Sequence, residues 1–355
     1  MLALSGAMMI DLLRRVADLN WPRALPAVVA LSGLLMGVLW LDLPRAQELA
    51  ALGVGFATST GQGKGFRDRR WPITLMDIAG KMLGIAAGMA AAQFHVGGVA
   101  LTVPGMLIGA FVVGALSRRD MSLWWVLLQS WLFFSLAGFL VHYVDSPAVV
   151  LVTVALAMIW VIAIEEGLRV AWGWLGPDHR APLDGQAPPE GAAPLDAVIG
   201  QGLQAILAVG MSYGIALILA INHPYWAPLS ALLMLGPRPG LTWERVALRT
   251  GATVAGAVGA SVLVLVLGPA NPVLPVFYVL FGMISILFIG RHFPSFVAFL
   301  TALIVVMVTM GNAEPVVNAW GRIVGTLLGG GAALVVSYLA HRIREALGMG
   351  SSLPS

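Results

Sequence analysis

Several charged residues of this sequence stand inside apolar stretches, where a lipid bilayer or a protein interior would surround them. Asp77 and Lys81 are four residues apart, which places both side chains on one face of a helix. Arg249 and Thr253 have the same spacing, and Arg322 lies within the last apolar stretch. A charge at the centre of a bilayer costs about 2.5–3.5 kcal/mol even on the lenient insertion scale, so such residues normally face the protein interior.

Two interpretations of these charges are open. In the first, Asp77 and Lys81 form an ion pair that holds the helices together. In the second, Arg249 and Lys81 attract the carboxylate of an organic anion along a partly hydrated pathway, while Tyr225 and Trp226 stack against its apolar body. Asp77 would then neutralise one cation or carry a proton. The candidate substrate-binding residues are Arg249, Thr253, Tyr225, Trp226, Lys81 and Arg322.

The composition predicts which elements must position these residues. Apolar residues make up 59% of the chain and charged residues only 10%, whereas soluble domains carry about 25% charged residues. A spanning helix needs about 20 apolar residues, so the chain predicts an all-α polytopic protein with about 12 transmembrane helices in contact with membrane lipid. Apolar stretches lie at 22–41, 46–60, 74–94, 97–116, 121–141, 147–164, 197–221, 225–236, 245–267, 272–290, 294–312 and 317–340.

The residue types argue against disulfide, metal, cofactor and enzymatic chemistry. The chain has no cysteine, which excludes disulfides and thiolate sites. The six histidines stand apart without ligand spacing, so neither a metal site nor a cofactor is predicted. No convergent group of His, Asp or Ser is apparent, so an enzyme is not predicted. The net charge of +3 reflects sorting across a membrane rather than an affinity for nucleic acid.

The basic residues also predict an orientation. If the N-terminus is cytoplasmic, all of the 20 lysines and arginines except Arg45, Lys81 and Arg322 fall at the cytoplasmic side. Cytoplasmic loops of membrane proteins carry an excess of Lys and Arg. The sequence therefore predicts a multi-pass protein of the bacterial inner membrane with both termini cytoplasmic.

The two sets of six apolar stretches predict an internal duplication. When the chain is aligned with itself, Trp71 meets Trp243, Asp77 meets Arg249, and Gly84 meets Gly256. An even number of spans in each copy makes the repeats parallel. Because Asp77 and Arg249 are then equivalent, we also consider the hypothesis that they face each other across the pseudo-axis. The predicted organisation is an interfacial amphipathic helix at 1–20, repeats at 21–170 and 197–345, a flexible cytoplasmic linker at 171–196, and a disordered tail at 346–355.

Glycine and proline mark special places in these spans. The second span of each half is short or interrupted, at 46–60 with Gly53 and Gly55, and at 225–236 between prolines. Interrupted segments in corresponding places of two halves are typical of transport sites, although a structural kink is the alternative. Glycines at four-residue spacing in the third and last spans favour close helix packing within the chain. The pair Glu165-Glu166 is interpreted as a solvated helix end and Trp131 as part of an interfacial belt.

From Tyr225 onward the sequence resembles the fusaric acid resistance/aromatic acid exporter family. The resemblance rests on Tyr225-Trp226-Ala227-Pro228, on Pro237 and Thr242, on Arg249-x-x-Ala252-Thr253-x-x-Gly256, and on Arg322-x-x-Gly325-Thr326-x-x-Gly329. It is clearest over 225–260. In the first half Asp77-x-x-Gly80-Lys81-x-x-Gly84 replaces the basic version, and Ala252 stands where the family pattern has glycine.

This resemblance implies export of aromatic or other weak organic acids, often together with a periplasmic adaptor of the membrane-fusion type. The expected function is thus a secondary-active efflux transporter for a small organic anion. An anion channel with the same basic lining and a membrane scaffold for an adaptor protein are the alternatives. A homo-oligomer is compatible with the glycine stripes.

Overall fold

A computed structural model describes residues 19–61, 70–117, 119, 121–172, 194–236, 243–312 and 314–346. Within these residues the chain forms twelve α-helices and one two-stranded ribbon. The helices are α1 (Trp21–Trp40), α2 (Arg45–Gly61), α3 (Arg70–Gln93), α4 (Thr102–Leu116), α5 (Met121–Leu140), α6 (Pro147–Trp172), α7 (Leu195–Ile218), α8 (Trp226–Leu235), α9 (Trp243–Leu267), α10 (Leu274–Phe288), α11 (Phe293–Asn312) and α12 (Pro315–Ala346). The strands β1 (His95–Val96) and β2 (Val99–Ala100) form an antiparallel hairpin between α3 and α4.

The helices have the length and composition that a bilayer requires. Eight of those described are long and apolar enough to cross a membrane, and α4, α8 and α10 are shorter apolar helices. In hydrocarbon every backbone N–H and C=O group must be satisfied within the segment, which a helix achieves and an open strand does not. The predicted all-α, multi-pass membrane class is confirmed.

Helix contacts among the first six helices, the first group, recur among the last six, the second group. In the first group α3 packs on α5, α2 on α6, α4 on α5, and α1 on α6. In the second group α9 packs on α11, α8 on α12, α10 on α11, and α7 on α12. The groups meet where α4 packs on α7 and where α1 packs on α10. A further link between the groups joins α10 to α2, where the buried Tyr278 hydroxyl donates a 2.8 Å hydrogen bond to the Leu52 carbonyl.

The glycine stripes lie at the closest helix contacts, as predicted. On α3, a Cβ added at Gly84 or Gly88 would meet the backbone of α5 at Ser130 or Phe134. On α12, a Cβ at Gly325 would lie 2.5 Å from the Cβ of Trp226 on α8. The absence of side chains lets these backbones approach one another. The α12 stripe therefore holds α8, and with it Trp226, against α12.

A pair of glycines on α12 tests this contact. A Cβ at Gly329 would lie 2.6 Å from the Ala231 nitrogen and 2.7 Å from the Ser230 Cβ, whereas a Cβ at Gly331 would meet nothing within 4 Å. We expect Gly329→Ala to lower the free energy of unfolding by about 1–3 kcal/mol because the helices must separate. Gly331→Ala should raise it by about 0.5–1 kcal/mol by removing backbone freedom from the unfolded chain. Denaturation in mixed detergent micelles measures both, and equal shifts for the two variants would contradict this role of Gly329.

The predicted boundaries and breaks are refined by the structure. α2 contains 17 residues and runs without interruption through Gly53 and Gly55, so the second span of the first half is short but not interrupted. The second span of the second half is short, since α8 contains 10 residues. α6 continues to Trp172 and α7 begins at Leu195, so both ends of the predicted linker are helical. Residues 1–18, 173–193 and 347–355 lie outside the described residues, and so do most of the predicted amphipathic helix, linker and tail.

Candidate functional site

Arg322 is the central cation of the candidate site. It lies on the second turn of α12, where its side chain is only 7% exposed. The guanidinium carbon lies 4.1 Å from the centroid of the Trp226 ring, a cation–π contact with the first residue of α8. The Nε atom of Arg322 is buried and has no hydrogen-bond partner among the described residues. Buried donors are normally paired, so this group is available to a ligand.

Arg249 adds a second positive charge to the same region. It lies on the second turn of α9, which packs on α12, and its charge acts unfavourably on the Arg322 guanidinium. Among the described residues neither guanidinium forms an ion pair with a carboxylate. Thr253, one turn further along α9, is buried beside them on the same helix face. Two helices therefore present cations whose charge is not neutralised by the protein in this part of the chain.

An aromatic cluster surrounds the turn that leads into α8. The Tyr225 ring lies 5.1 Å from Trp226 and is stacked at 5.7 Å on Phe139 of α5. Phe139 in turn contacts Tyr213 of α7 at 5.5 Å. The cluster thus joins α5 of the first group to α7 and α8 of the second. It provides flat apolar surfaces next to the Arg322 guanidinium.

His223 is the titratable group on the turn between α7 and α8. Its Nδ1 atom lies 3.1 Å from the Tyr225 hydroxyl, and it is hydrogen-bonded to Asn318 of α12. The pKa of His223 is lowered from its ordinary value because burial disfavours the charged ring, while the hydrogen bond with Asn318 and the charge of Glu314 act in the opposite direction. The backbone φ of His223 is +63°, in the left-handed region that residues other than glycine rarely adopt.

Asp77 and Lys81 form an ion pair within α3. The Lys81 side chain is fully buried, and Asp77 is 7% exposed. The pair lies beside the last residue of α2, since a Cβ at Gly61 would be 3.2 Å from Asp77 Oδ2 and 3.9 Å from Lys81 Nζ. The second carboxylate oxygen, Oδ1, is buried and has no hydrogen-bond partner in the part of the chain that the structure describes. The charge of Lys81 is thus matched within its own helix, unlike that of Arg249.

The structure does not bring Asp77 and Arg249 together. α3 packs on α5, whereas α9 packs on α11 and α12. The ion-pair partner of Asp77 is Lys81. The hypothesis of a direct contact between these repeat-equivalent positions therefore finds no support, and Arg249, Thr253, Tyr225, Trp226 and Arg322 form a group to which Lys81 and Asp77 do not belong.

A second buried charge cluster, which the sequence did not predict, lies at the end of α2. Glu165 of α6 is only 3% exposed and accepts a 2.5 Å hydrogen bond from the Ser59 hydroxyl. Arg23 of α1 interacts electrostatically with Glu165 and donates a 2.6 Å hydrogen bond to the Thr60 carbonyl. The interpretation of Glu165 as a solvated helix end is wrong, because the C-terminal end of α2 covers it. The run Thr58-Ser59-Thr60 in an otherwise apolar span was the signal for such a partner.

Trp131 also differs from its interpretation as an interfacial residue. It is 4% exposed, and its indole Nε1 donates a 2.7 Å hydrogen bond to the Met106 carbonyl of α4. A buried tryptophan needs such a partner for its N–H group. Trp131 therefore belongs to the packing of α4 on α5 rather than to an aromatic belt.

The arrangement can bind an anion with a flat apolar part. Guanidinium groups bind carboxylates through parallel hydrogen bonds, and Arg322 has a buried N–H group without a partner. Burial of Arg322 makes its interaction with a bound anion stronger than it would be in water, and the positive charge of the nearby Arg249 adds to the attraction. The rings of Trp226, Tyr225 and Phe139 offer stacking surfaces around it.

The comparisons with known proteins agree with this location. Residues 209–336 match the family described as fusaric acid resistance protein-like. The matched segment contains Tyr225, Trp226, Arg249, Thr253 and Arg322. No curated protein and no solved structure matches the chain. Residues 209–336 are thus fusaric acid resistance protein-like, which confirms over this segment the family resemblance that the sequence predicted.

Proposed function

We propose that this chain is a secondary-active transporter that exports aromatic or other weak organic acids across the bacterial inner membrane. The observation that carries the proposal is the pair of arginines on α9 and α12. Neither Arg249 nor Arg322 is paired with a carboxylate among the described residues, and Arg322 lies against an aromatic ring. The family match to a resistance protein over the same segment supports a role in transport or resistance.

The energetics of burial favour a ligand at this place. An isolated charge in a low-dielectric interior is costly, and proteins normally neutralise it with a counter-ion. Lys81 follows this rule through Asp77, and Arg23 is accompanied by Glu165. Arg249 and Arg322 depart from it, so a transported anion would supply the missing negative charge for part of the cycle.

Access to the site follows from the proposed orientation. With both termini cytoplasmic, α8 and α12 begin at the periplasmic side and α9 begins at the cytoplasmic side. Arg322 and Trp226 then lie towards the periplasm, and Arg249 lies towards the cytoplasm. An anion leaving the cell would meet Arg249 before Arg322, so the two cations form successive positions along one path.

Two parallel repeats would supply the movement. Each helix pair that packs closely in the first group has a counterpart in the second, including α4 on α7 and α1 on α10 between the groups. This correspondence supports a pseudo-twofold axis along the membrane normal, around which the halves rock to alternate access. The aromatic contact between Phe139 and Tyr225 crosses from one half to the other and would change during such a movement.

A flux assay in proteoliposomes tests the proposal. Purified protein is reconstituted, benzoate is used as the probe, and its movement is followed with and without an imposed pH gradient. We expect saturable benzoate flux that becomes faster when the pH gradient is imposed. Unlabelled benzoate on the far side of the vesicle membrane should exchange with labelled benzoate.

The alternatives give different results in the same assay. Current that rises linearly with voltage and ignores the pH gradient would indicate an anion channel. Benzoate flux no greater than in protein-free vesicles, together with no benzoate binding to the purified protein, would contradict a benzoate-transporting site at Arg249 and Arg322.

A further inference from the structure

His223 lies next to the candidate anion site and is a group that can exchange a proton near neutral pH. Its ring contacts Tyr225 edge-on at 5.6 Å, and Tyr225 contacts Trp226, whose ring covers Arg322. On the other side, His223 is hydrogen-bonded to Asn318, which lies one turn before Arg322 on α12. The turn itself packs against α12, since a Cβ at Gly321 would lie 3.0 Å from the Asn222 carbonyl and 3.6 Å from the His223 ring.

The neighbours of His223 determine which nitrogen carries its proton when the ring is neutral. The Asn318 amide nitrogen donates to the Thr309 hydroxyl at 3.5 Å, which orients the amide, and the hydrogen bond with Asn318 favours the protonated ring, so His223 donates to the Asn318 oxygen. His223 then carries its single proton on Nε2, and Nδ1 is an acceptor. The Tyr225 hydroxyl, 3.1 Å away, donates to Nδ1 in this state. Its only O–H is therefore used within the protein.

Protonation of His223 reverses this hydrogen bond. A charged imidazolium has an N–H group on both nitrogens, so Nδ1 becomes the donor and the Tyr225 oxygen becomes the acceptor. The Tyr225 O–H is then free to donate to another group. Since Tyr225 is buried and its ring lies 5.1 Å from the Trp226 ring that covers Arg322, an anion at Arg322 is the acceptor that fits this position.

We propose that His223 is a positioning residue that makes anion binding at Arg322 depend on the uptake of one proton. The inference rests on the proposed anion site and adds to it a proton-linked donor, the Tyr225 hydroxyl. The titratable and charged groups that face this arrangement are Glu314 at the start of α12, Tyr143 near Tyr225, and Arg322 itself. Glu314 favours the imidazolium, and a bound anion favours it further.

The direction of the pH dependence follows from linkage. A bound anion raises the pKa of His223 above that of the free protein, so the extra binding energy is fully present below the free-state pKa. It is lost as the pH rises through the bound-state pKa. Binding should therefore be stronger in mild acid, by up to about 10-fold for each pH unit between the two pKa values.

Calorimetric titration of the purified protein with benzoate tests this linkage. Titrations at about pH 5.5 and about pH 7.5 lie on either side of the ordinary histidine pKa, and two buffers of different ionisation enthalpy count the protons taken up. We expect benzoate to bind about 3- to 10-fold more tightly to the wild-type protein at the lower pH, with uptake of protons. His223→Gln should bind with the same affinity at both pH values and take up none. Tyr225→Phe should lose the same pH dependence, because no hydroxyl remains to be released.

The control is His341→Gln, since His341 is a half-exposed histidine near the other end of α12. This variant should keep the pH dependence of the wild-type protein. If His223→Gln keeps it as well, or weakens binding by the same factor at both pH values, the proton linkage is refuted while the anion site stands. If the wild-type protein binds no benzoate at either pH, the anion site is refuted and the linkage with it.

Discussion

Replacing Arg322 with alanine should reduce the affinity for benzoate by about 30-fold or more, because removal of one partner of a buried charged pair costs at least about 2 kcal/mol. The guanidinium of Arg322 is the buried cation that lies against Trp226. Arg322→Lys should restore the charge but not the fork of N–H groups or the stacking on the indole, so we expect it to recover only part of the affinity. Titration of each purified variant with benzoate measures the effect.

A matched control is available on the same helix. Arg342 is exposed near the C-terminal end of α12 and pairs with Glu345 at 3.1 Å. Surface ion pairs contribute little, and Arg342→Ala should leave the benzoate affinity within about twofold of the wild-type value. If Arg322→Ala binds as tightly as Arg342→Ala, then Arg322 does not contact the anion.

Replacing Lys81 with methionine should destabilise the folded protein by about 3–5 kcal/mol, because the substitution leaves the buried carboxylate of Asp77 without its counter-ion. The carboxylate already has one buried oxygen without a hydrogen-bond partner, so it cannot compensate locally. The double variant Asp77→Leu/Lys81→Met should recover most of this loss, since an apolar pair of similar volume replaces the ion pair. Denaturation in mixed detergent micelles gives the free energies.

The same variants distinguish a structural pair from a transport site. Asp77 and Lys81 both lie on α3 and form an ion pair with each other. Arg249 and Arg322 lie on other helices, α9 and α12, which pack together. If the pair only holds the helices together, the double variant should transport benzoate at a rate within about twofold of the wild-type protein. A stable double variant that binds benzoate but no longer responds to a pH gradient would instead assign the proton-carrying role to Asp77.

The helices α3 and α12 show which structural features the residue spacing could predict and which it could not. Asp77 and Lys81 had to share a helix face, because residues four apart always do in an α-helix. The glycines of α3 and α12 were expected to permit close helix contacts, because a residue without a side chain lets two backbones approach most closely. Which helix would fill each contact was a different matter. Gly84 meets α5 and Gly325 meets α8, and both choices depend on how the whole bundle assembles.

The buried cluster at the end of α2 illustrates the opposite case. Glu165 stands near the end of an apolar stretch and had every local feature of a solvated residue. Its burial comes from Ser59 and Arg23, which are distant in the chain and lie on two other helices. Trp131 was misjudged for the same reason, since its hydrogen-bond acceptor is a carbonyl on α4. Burial of a polar group is set by its neighbours in space, and local sequence carries little information about them.

The sequence alone was sufficient for the properties that depend on local chemistry and on the solvent. Apolar length predicted membrane helices because hydrocarbon tolerates no unpaired backbone groups, and the residues from Tyr225 to Gly329 predicted the family. Only the tertiary structure decided which charges are neutralised. Lys81 forms an ion pair with Asp77 on its own helix, whereas Arg322 makes a cation–π contact with Trp226. His223 is hydrogen-bonded to Tyr225 and Asn318. Since electrostatic and hydrogen-bond energies depend on distances between side chains from different helices, the separation of a structural ion pair from a candidate anion site could come only from the packed bundle.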